Sequence, residues 1–188
     1  VQIDIGPTHL GRRSAINMGL VGDAKTTFAA LIPLVAPKTD DSHLQTHLKQ
    51  WAEDLKGYDH EGEEHDPELI HPQFVANMLD AKAADDAIFV SDVGTAMVWM
   101  LRHLKANGKR RFLNSLLHGT MASGFPQAMG AKLAYPDRQV IAMCGDGGLT
   151  MLMGDLLTLV QEDIPLKLVV FHNNTLGFVE MEQRVEGL

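Results

Sequence analysis

The chain has 188 residues, 45% of them hydrophobic and 21% charged, and a net charge of −8 at neutral pH, a composition ordinary for a globular protein with room for one full domain and part of another. An acidic chain whose only basic run is Lys109-Arg110-Arg111 argues against a nucleic-acid groove, and no apolar run approaches the roughly 20 residues of a membrane span. Cys144 is the sole cysteine, which excludes an intrachain disulfide and agrees with a reducing cytoplasm.

No signal-peptide pattern opens the sequence. It starts inside a strand-like stretch without an initiator methionine and stops at Glu186-Gly187-Leu188 without a closing element, so it reads as a piece of a longer, cytoplasmic protein.

In chain order, Val1-Gln2-Ile3-Asp4-Ile5 is a strand ending in a turn at Gly6-Pro7. Met18-Gly19-Leu20-Val21 is a second short strand ending at Gly22-Asp23, and Ala24 to Leu34 is helical with Asp23 as its N-cap. Residues 1–35 thus form a short α/β segment. Residues 36–70 read as a linker. It holds one amphipathic stretch, Asp41 to Leu55, and the polar run Tyr58 to Pro67, too charged and too marked by glycine and proline for a core. His43 and His47 stand at i, i+4 on the amphipathic stretch, but no glutamate follows His43 and no third ligand is evident. A solvated helix therefore outweighs a zinc pair there, and the acidic run Glu61 to Asp66 reads as solvated surface.

Residues 71–188 alternate strands with helices. Gln73 to Ala84 is helical, Ala87 to Ser91 is a buried-type strand leading into Asp92-Val93-Gly94-Thr95, and Met97 to Ala106 is a helix stopped by Asn107-Gly108. Arg111 to Asn114 is a short strand, Gly119 to Gly124 a glycine-spaced turn, and Pro126 to Leu133 a helix. Val140 to Met143 is a strand that runs into Cys144-Gly145-Asp146-Gly147-Gly148. A helix from Leu149 to Glu162 follows, then a break at Asp163-Ile164-Pro165, then a strand from Leu166 to Phe171 that ends in His172-Asn173-Asn174. This alternation predicts an α/β fold with a doubly wound parallel sheet.

The last strand–helix–strand unit has βαβ length, so its strands are parallel. Asp146 and Asn173 then sit just past the same ends of neighbouring strands, where open α/β sheets place ligands. A carboxylate and an amide oxygen beside glycine backbone suit a hard cation that also holds phosphate oxygens, as Mg²⁺ does. The glycines leave backbone N–H groups free at a helix N-terminus, where an anion is favoured. Gly145-Asp146-Gly147-Gly148 alone reads equally well as a simple turn, glycine being the cheapest residue at positive φ. The pairing with Asn173 tips the reading toward a metal–diphosphate site. Taken by themselves, Met121 and Phe178 read as ordinary packing.

Gly145-Asp146-Gly147, with Asn173 lying 27 positions after the aspartate, resembles the thiamine-diphosphate motif of decarboxylases and carboligases. Ser91 to Thr95, Lys109 to Arg111, His118 to Ala122, Pro126 to Ala131, Arg138 to Cys144 and Leu176 to Val179 look most like the quinone-dependent pyruvate dehydrogenase (pyruvate oxidase) branch, as do Val1 to Asp4 and Leu20 to Asp23. The resemblance implies a diphosphate-binding domain in residues 71–188, preceded by the tail of an FAD-binding domain. It implies that Asp146, Asn173 and the carbonyl of Thr175 hold Mg²⁺. Asp92, Gly94, Thr95, Gly145, Gly147 and Gly148 would bind the cofactor, and the Gly119 carbonyl would meet its aminopyrimidine. Met121 would bend the cofactor into a V, and Phe178 and Glu182 would line the space near substrate and flavin. Asp4 and Asp23 would meet the adenosine end of FAD.

The family often has Asn-Asn where this chain has His172-Asn173, and His172 receives no role. The implied activity is oxidation of pyruvate to acetate and CO₂ with electrons passing through FAD to a quinone; an acetolactate-synthase-like carboligase and a non-catalytic module are the alternatives. The family's activating glutamate lies in an N-terminal domain, usually of a neighbouring subunit. The implied parent is a dimer or tetramer that touches the inner face of the membrane peripherally through other segments, and the isolated chain is expected to be inactive.

Overall fold

A computed structural model describes residues 1–56 and 69–188. The polar run at Tyr58 to Pro67, with its acidic stretch, lies outside the described residues. The chain forms two compact units, Val1–Lys56 and Gly57–Leu188.

In the first unit, β1 (Gln2–Asp4) and β2 (Gly19–Val21) pair in parallel, Asp4 opposite Val21. The Asp23 carboxylate caps α1 (Ala24–Leu31), accepting the Thr26 N–H at 3.0 Å. That satisfies one orphan donor of the first turn, as the sequence predicts. Pro33 cannot donate to the preceding turn, so the chain tightens into a 3-10 turn at Ile32–Leu34 and the α-helix stops short of the expected Leu34. A second 3-10 turn, Pro7–His9, falls between the strands. The amphipathic stretch forms α2 (Ser42–Lys56). The rings of His43 and His47 meet edge to face at 4.3 Å. Among the described residues, no group of three or more His, Cys, Asp or Glu side chains is placed to hold a metal.

The second unit carries a four-stranded, wholly parallel sheet. β3 (Ile88–Ser91), β4 (Arg111–Leu113), β5 (Val140–Gly145) and β6 (Lys167–Phe171) lie in the order β4-β3-β5-β6. Because side chains alternate across a strand, each buried strand feeds two layers. Ile88, Val90, Val140, Ala142 and Cys144 pack with Phe125, Ala128 and Ala131 of α5 (Gly124–Ala134). Phe89, Ile141 and Met143 point the other way, against Ala76 of α3 (Pro72–Lys82) and Met100 of α4 (Thr95–His103). Helices therefore cover both faces, the expected doubly wound arrangement. At the edge, Arg110 pairs with Asp80 at 2.6 Å, tying the end of α3 to the start of β4.

The helices near the predicted site differ from the sequence reading. α5 begins at Gly124 rather than Pro126, and proline fits its first turn because an N–H there would be unsatisfied anyway. The helix expected over Leu149 to Glu162 is broken into α6 (Asp146–Met151), a 3-10 turn at Met153–Asp155, and α7 (Leu156–Gln161). α6 starts at the aspartate itself, with Gly145 as N-cap in an extended conformation. The final residues do close on an element: α8 (Gly177–Glu186) ends with Gly187 at φ 76°, a left-handed residue that suits glycine. No helix among the described residues is long and apolar enough to cross a membrane.

Candidate functional site

From β3 the chain passes to the edge strand β4, then crosses back over β3 to β5 and on to β6. The direction of winding thus reverses between β3 and β5, and a crevice opens outside the carboxyl ends of those strands. A cleft of about 310 Å³ lies there, lined by Gly94 and Thr95 after β3, Gly119 and Met121, Gly145 to Gly148 after β5, and Asn173, Thr175, Phe178 and Glu182 after β6. Val93, Phe171, Leu176, Gly177 and Val179 also line it; they fall in or beside the motif stretches of the sequence but carry no expected site role there. Phe171 ends β6, Leu176 lies in the loop that follows, and Gly177 and Val179 belong to the first turn of α8.

Asp146 is the first residue of α6, and its carboxylate organises the loop after β6. One oxygen accepts the Gly147 N–H at 2.8 Å. The other accepts the N–H groups of Asn173 at 3.2 Å and Asn174 at 3.0 Å, and lies 2.7 Å from His172 Nδ1. Partial burial pushes this carboxyl up, but the Gly147 N–H, His172 and the two asparagine N–H groups outweigh it, so it sits below the ordinary carboxylate value and is ionised at neutral pH. Asn174 sustains the loop at φ 58°, a conformation asparagine tolerates. Asn173 Oδ1 accepts the Thr175 N–H at 3.2 Å, and Thr175 Oγ1 donates to Glu180 of α8 at 3.1 Å. Three of the four donors on Asp146 are fixed backbone, whereas His172 is exposed.

The glycines of the motif answer the turn alternative. Gly145 has φ −74°, and Gly147 and Gly148 are not among the positive-φ glycines. Their reason is close approach. A Cβ on Gly147 would lie 2.7 Å from Leu176 Cδ2 and 3.7 Å from Met121 Cε. A Cβ on Gly148 would lie 1.6 Å from Asp92 Oδ2. Gly94 and Gly145 have nothing within 4 Å of a built Cβ, so open space adjoins both. Hard oxygen donors next to a glycine floor fit a cation that carries a diphosphate.

Met121 stands between two left-handed residues, Gly119 at φ 60° and Ala122 at φ 66°. A positive φ at alanine costs energy and tends to persist at functional sites. Phe178 and Glu182 stand four apart on α8 and share the face toward the cleft.

Asp92 departs from its expected place. It does not line the cleft and is 1% exposed. Its N–H bonds the Met143 carbonyl at 2.8 Å, which continues the alternation of β3 and turns the side chain into the layer beneath α5 and α6.

In the first unit, Asp4 and Asp23 follow the same ends of two parallel strands. Asp4 Oδ1 accepts the Gly6 N–H at 2.9 Å and lies 3.1 Å from His9 Nδ1, and these two contacts hold its carboxyl below the usual range.

Residues 92–188 match the family "Thiamine pyrophosphate enzyme, C-terminal TPP binding domain". The chain is 38% identical to the Bacillus subtilis protein YdaP, whose name describes it as thiamine pyrophosphate-containing, over all of this chain and 32% of that protein. It is 37% identical to the pyruvate oxidase of Lactiplantibacillus plantarum, over 97% of this chain and 30% of the oxidase. It is 32% identical to the acetolactate synthase large subunit of Corynebacterium glutamicum, over 97% of this chain and 29% of the synthase. The chain spans about a third of the length of these relatives.

Proposed function

The chain belongs to the thiamine pyrophosphate enzymes, through their C-terminal TPP-binding domain, and from that premise we propose that it is the cofactor-binding part of an oxidoreductase acting on pyruvate. The proposed reaction converts pyruvate, water and an oxidised quinone to acetate, CO₂ and the quinol, with FAD as the electron carrier between them. The observation that carries the reading is the meeting of Asp146 and the Asn173 loop across β5 and β6, at a cleft floored by glycine.

Asp146, Asn173 and the carbonyl of Thr175 are the residues that would hold Mg²⁺, with Gly94, Thr95, Gly145, Gly147 and Gly148 against the diphosphate. When bound, thiamine diphosphate supplies the nucleophilic carbon and the electron sink for decarboxylation. The protein's part is orientation and exclusion of water. Met121, held between two left-handed residues, presents an apolar wedge opposite Gly147. The Gly119 carbonyl would accept a hydrogen bond from the aminopyrimidine, and Phe178 and Glu182, which line the cleft, would close the substrate side. Asp4 and Asp23 are the residues that would accept hydrogen bonds from the adenosine of FAD.

The activating glutamate, the quinone site and peripheral membrane contact belong to segments outside this chain, in a cytoplasmic parent that assembles as a dimer or tetramer. This chain alone should not turn over pyruvate. The 32% identity to an acetolactate synthase, beside 37% to the oxidase, supports a second reading, a carboligase that joins two pyruvates with release of CO₂. Product analysis of the full-length protein separates them: acetate with quinone reduction is expected, and acetolactate without acceptor reduction would sink the oxidase. The metal site is tested by calorimetric titration of thiamine diphosphate with Mg²⁺. Asp146→Ala should weaken binding at least tenfold, and equal binding by variant and wild type would remove the site.

A further inference from the structure

The cofactor reading leaves Asp92 without a task. Its carboxylate lies behind the cleft wall, where three cleft-lining segments converge. Oδ1 accepts the N–H of Val93 at 3.1 Å, the residue that opens the loop carrying Gly94 and Thr95. It also accepts, at 3.5 Å, the N–H of Gly124, which ends the turn carrying Gly119 and Met121. Oδ2 lies against Gly148, two residues after Asp146, so closely that a Cβ there would be 1.6 Å away. The strained Ala122 closes the same corner, its N 3.4 Å from that Cβ position. The main chain of Asp92 is fixed to β5 through Met143, so the carboxylate is anchored to the sheet while it touches all three loops.

Stability alone does not call for a carboxylate here. Oδ2 is buried and makes no hydrogen bond, and a buried polar atom left unpaired is unfavourable where an apolar side chain of similar volume would not be. The geometry instead points to a gain in the site. We propose that Asp92 is a positioning residue: from behind, it sets the mutual placement of the Gly94-Thr95, Gly119-Met121 and Asp146-Gly148 segments without touching the cofactor. This rests on the cofactor reading above.

The test uses the full chain and two readouts, thiamine diphosphate affinity in saturating Mg²⁺ by calorimetry and thermal melting. Asp92→Ala should weaken the affinity about tenfold or more, as loss of a supporting contact does at metal sites. Asp92→Asn keeps an oxygen that accepts both N–H groups and should stay within about threefold of wild type. A merely structural role would lower both melting temperatures and leave the affinities together. Wild-type affinity in Asp92→Ala, with affinity lost in Asp146→Ala, overturns the positioning role alone; unchanged affinity in Asp146→Ala overturns the cofactor reading beneath it.

Gly148→Ala provides a check that does not depend on the cofactor. Its methyl collides with the carboxylate, so Asp92→Ala should raise the melting temperature of Gly148→Ala. Additive losses in the double variant would overturn the contact on which the proposal stands.

Discussion

Cys144 ends the buried run of β5, two residues before Asp146, and its thiol is pushed up to about 12, first by burial and then by the charge of Asp92. The thiol is therefore protonated and inert in the folded chain, despite its place beside the candidate metal ligand. Iodoacetamide at pH 8 should leave Cys144 unmodified until the chain is denatured, and rapid alkylation of the native protein, read by mass spectrometry, would contradict this. A folded value of about 12 against an ordinary 9.0 means that the unfolded chain releases a proton that the folded chain keeps. Stability should be unaffected by this group below pH 9.0 and should fall as pH rises from there toward 12. At this same scale the placement of Asp146 and Asn173 at neighbouring strand ends was legible, because it needs only one strand–helix–strand unit. The role of Gly148 was not, since the side chain it makes room for lies 56 positions earlier in the chain.

Among the elements, α5 docks on β3 by backbone contact. A Cβ at Gly124 would lie 2.5 Å from the Asp92 N and 2.8 Å from the Ser91 carbonyl carbon, neither of which can yield as a flexible side chain can. Gly124→Ala should therefore destabilise the second unit by about 1–3 kcal/mol, the usual range for overpacking, measured as a lower urea midpoint. An unchanged midpoint would show that the helix shifts freely. Element existence was readable from periodicity for β3, β5 and β6, whose apolar runs stop at glycine or polar residues. The helix after β5 breaks at Leu152, at φ −128°, and Gly154 in the 3-10 turn that follows is the one local signal of it. α8 lies beyond the last element read from the sequence, although Phe178, Met181 and Val185 recur there at helical spacing.

For the whole molecule, the buried apolar residues among those described run from Ala76 to Ile164, and residues 1–56 contribute none. A two-stranded parallel pair with the short capped α1 and an exposed α2 buries too little to offset its conformational entropy. Residues 1–56 expressed alone should show no cooperative thermal transition by circular dichroism, whereas residues 57–188 should melt cooperatively. A sharp transition in the shorter piece would mean that its exposed apolar groups find a core of their own. The same distribution of burial explains why the α/β class was evident from strand and helix alternation, while the winding reversal between β3 and β5 was not. Strand order depends on which β-strands pair across loops, and local pattern carries no record of it.

Taken by itself, the sequence determined the α/β class, the N-cap at Asp23, and the placement of Asp146 and Asn173 at the ends of neighbouring strands, because each is a short-range matter of residue type and periodicity. Tertiary structure alone decided that the cleft lies at the switch between β3 and β5, that α8 closes one side of it, and that Asp92 stands behind the wall and not in the cleft. The reason is the same in each case. These features come from close approach between segments far apart in the chain, and whether a carboxylate faces a ligand or a glycine is set by which layer its strand turns it into.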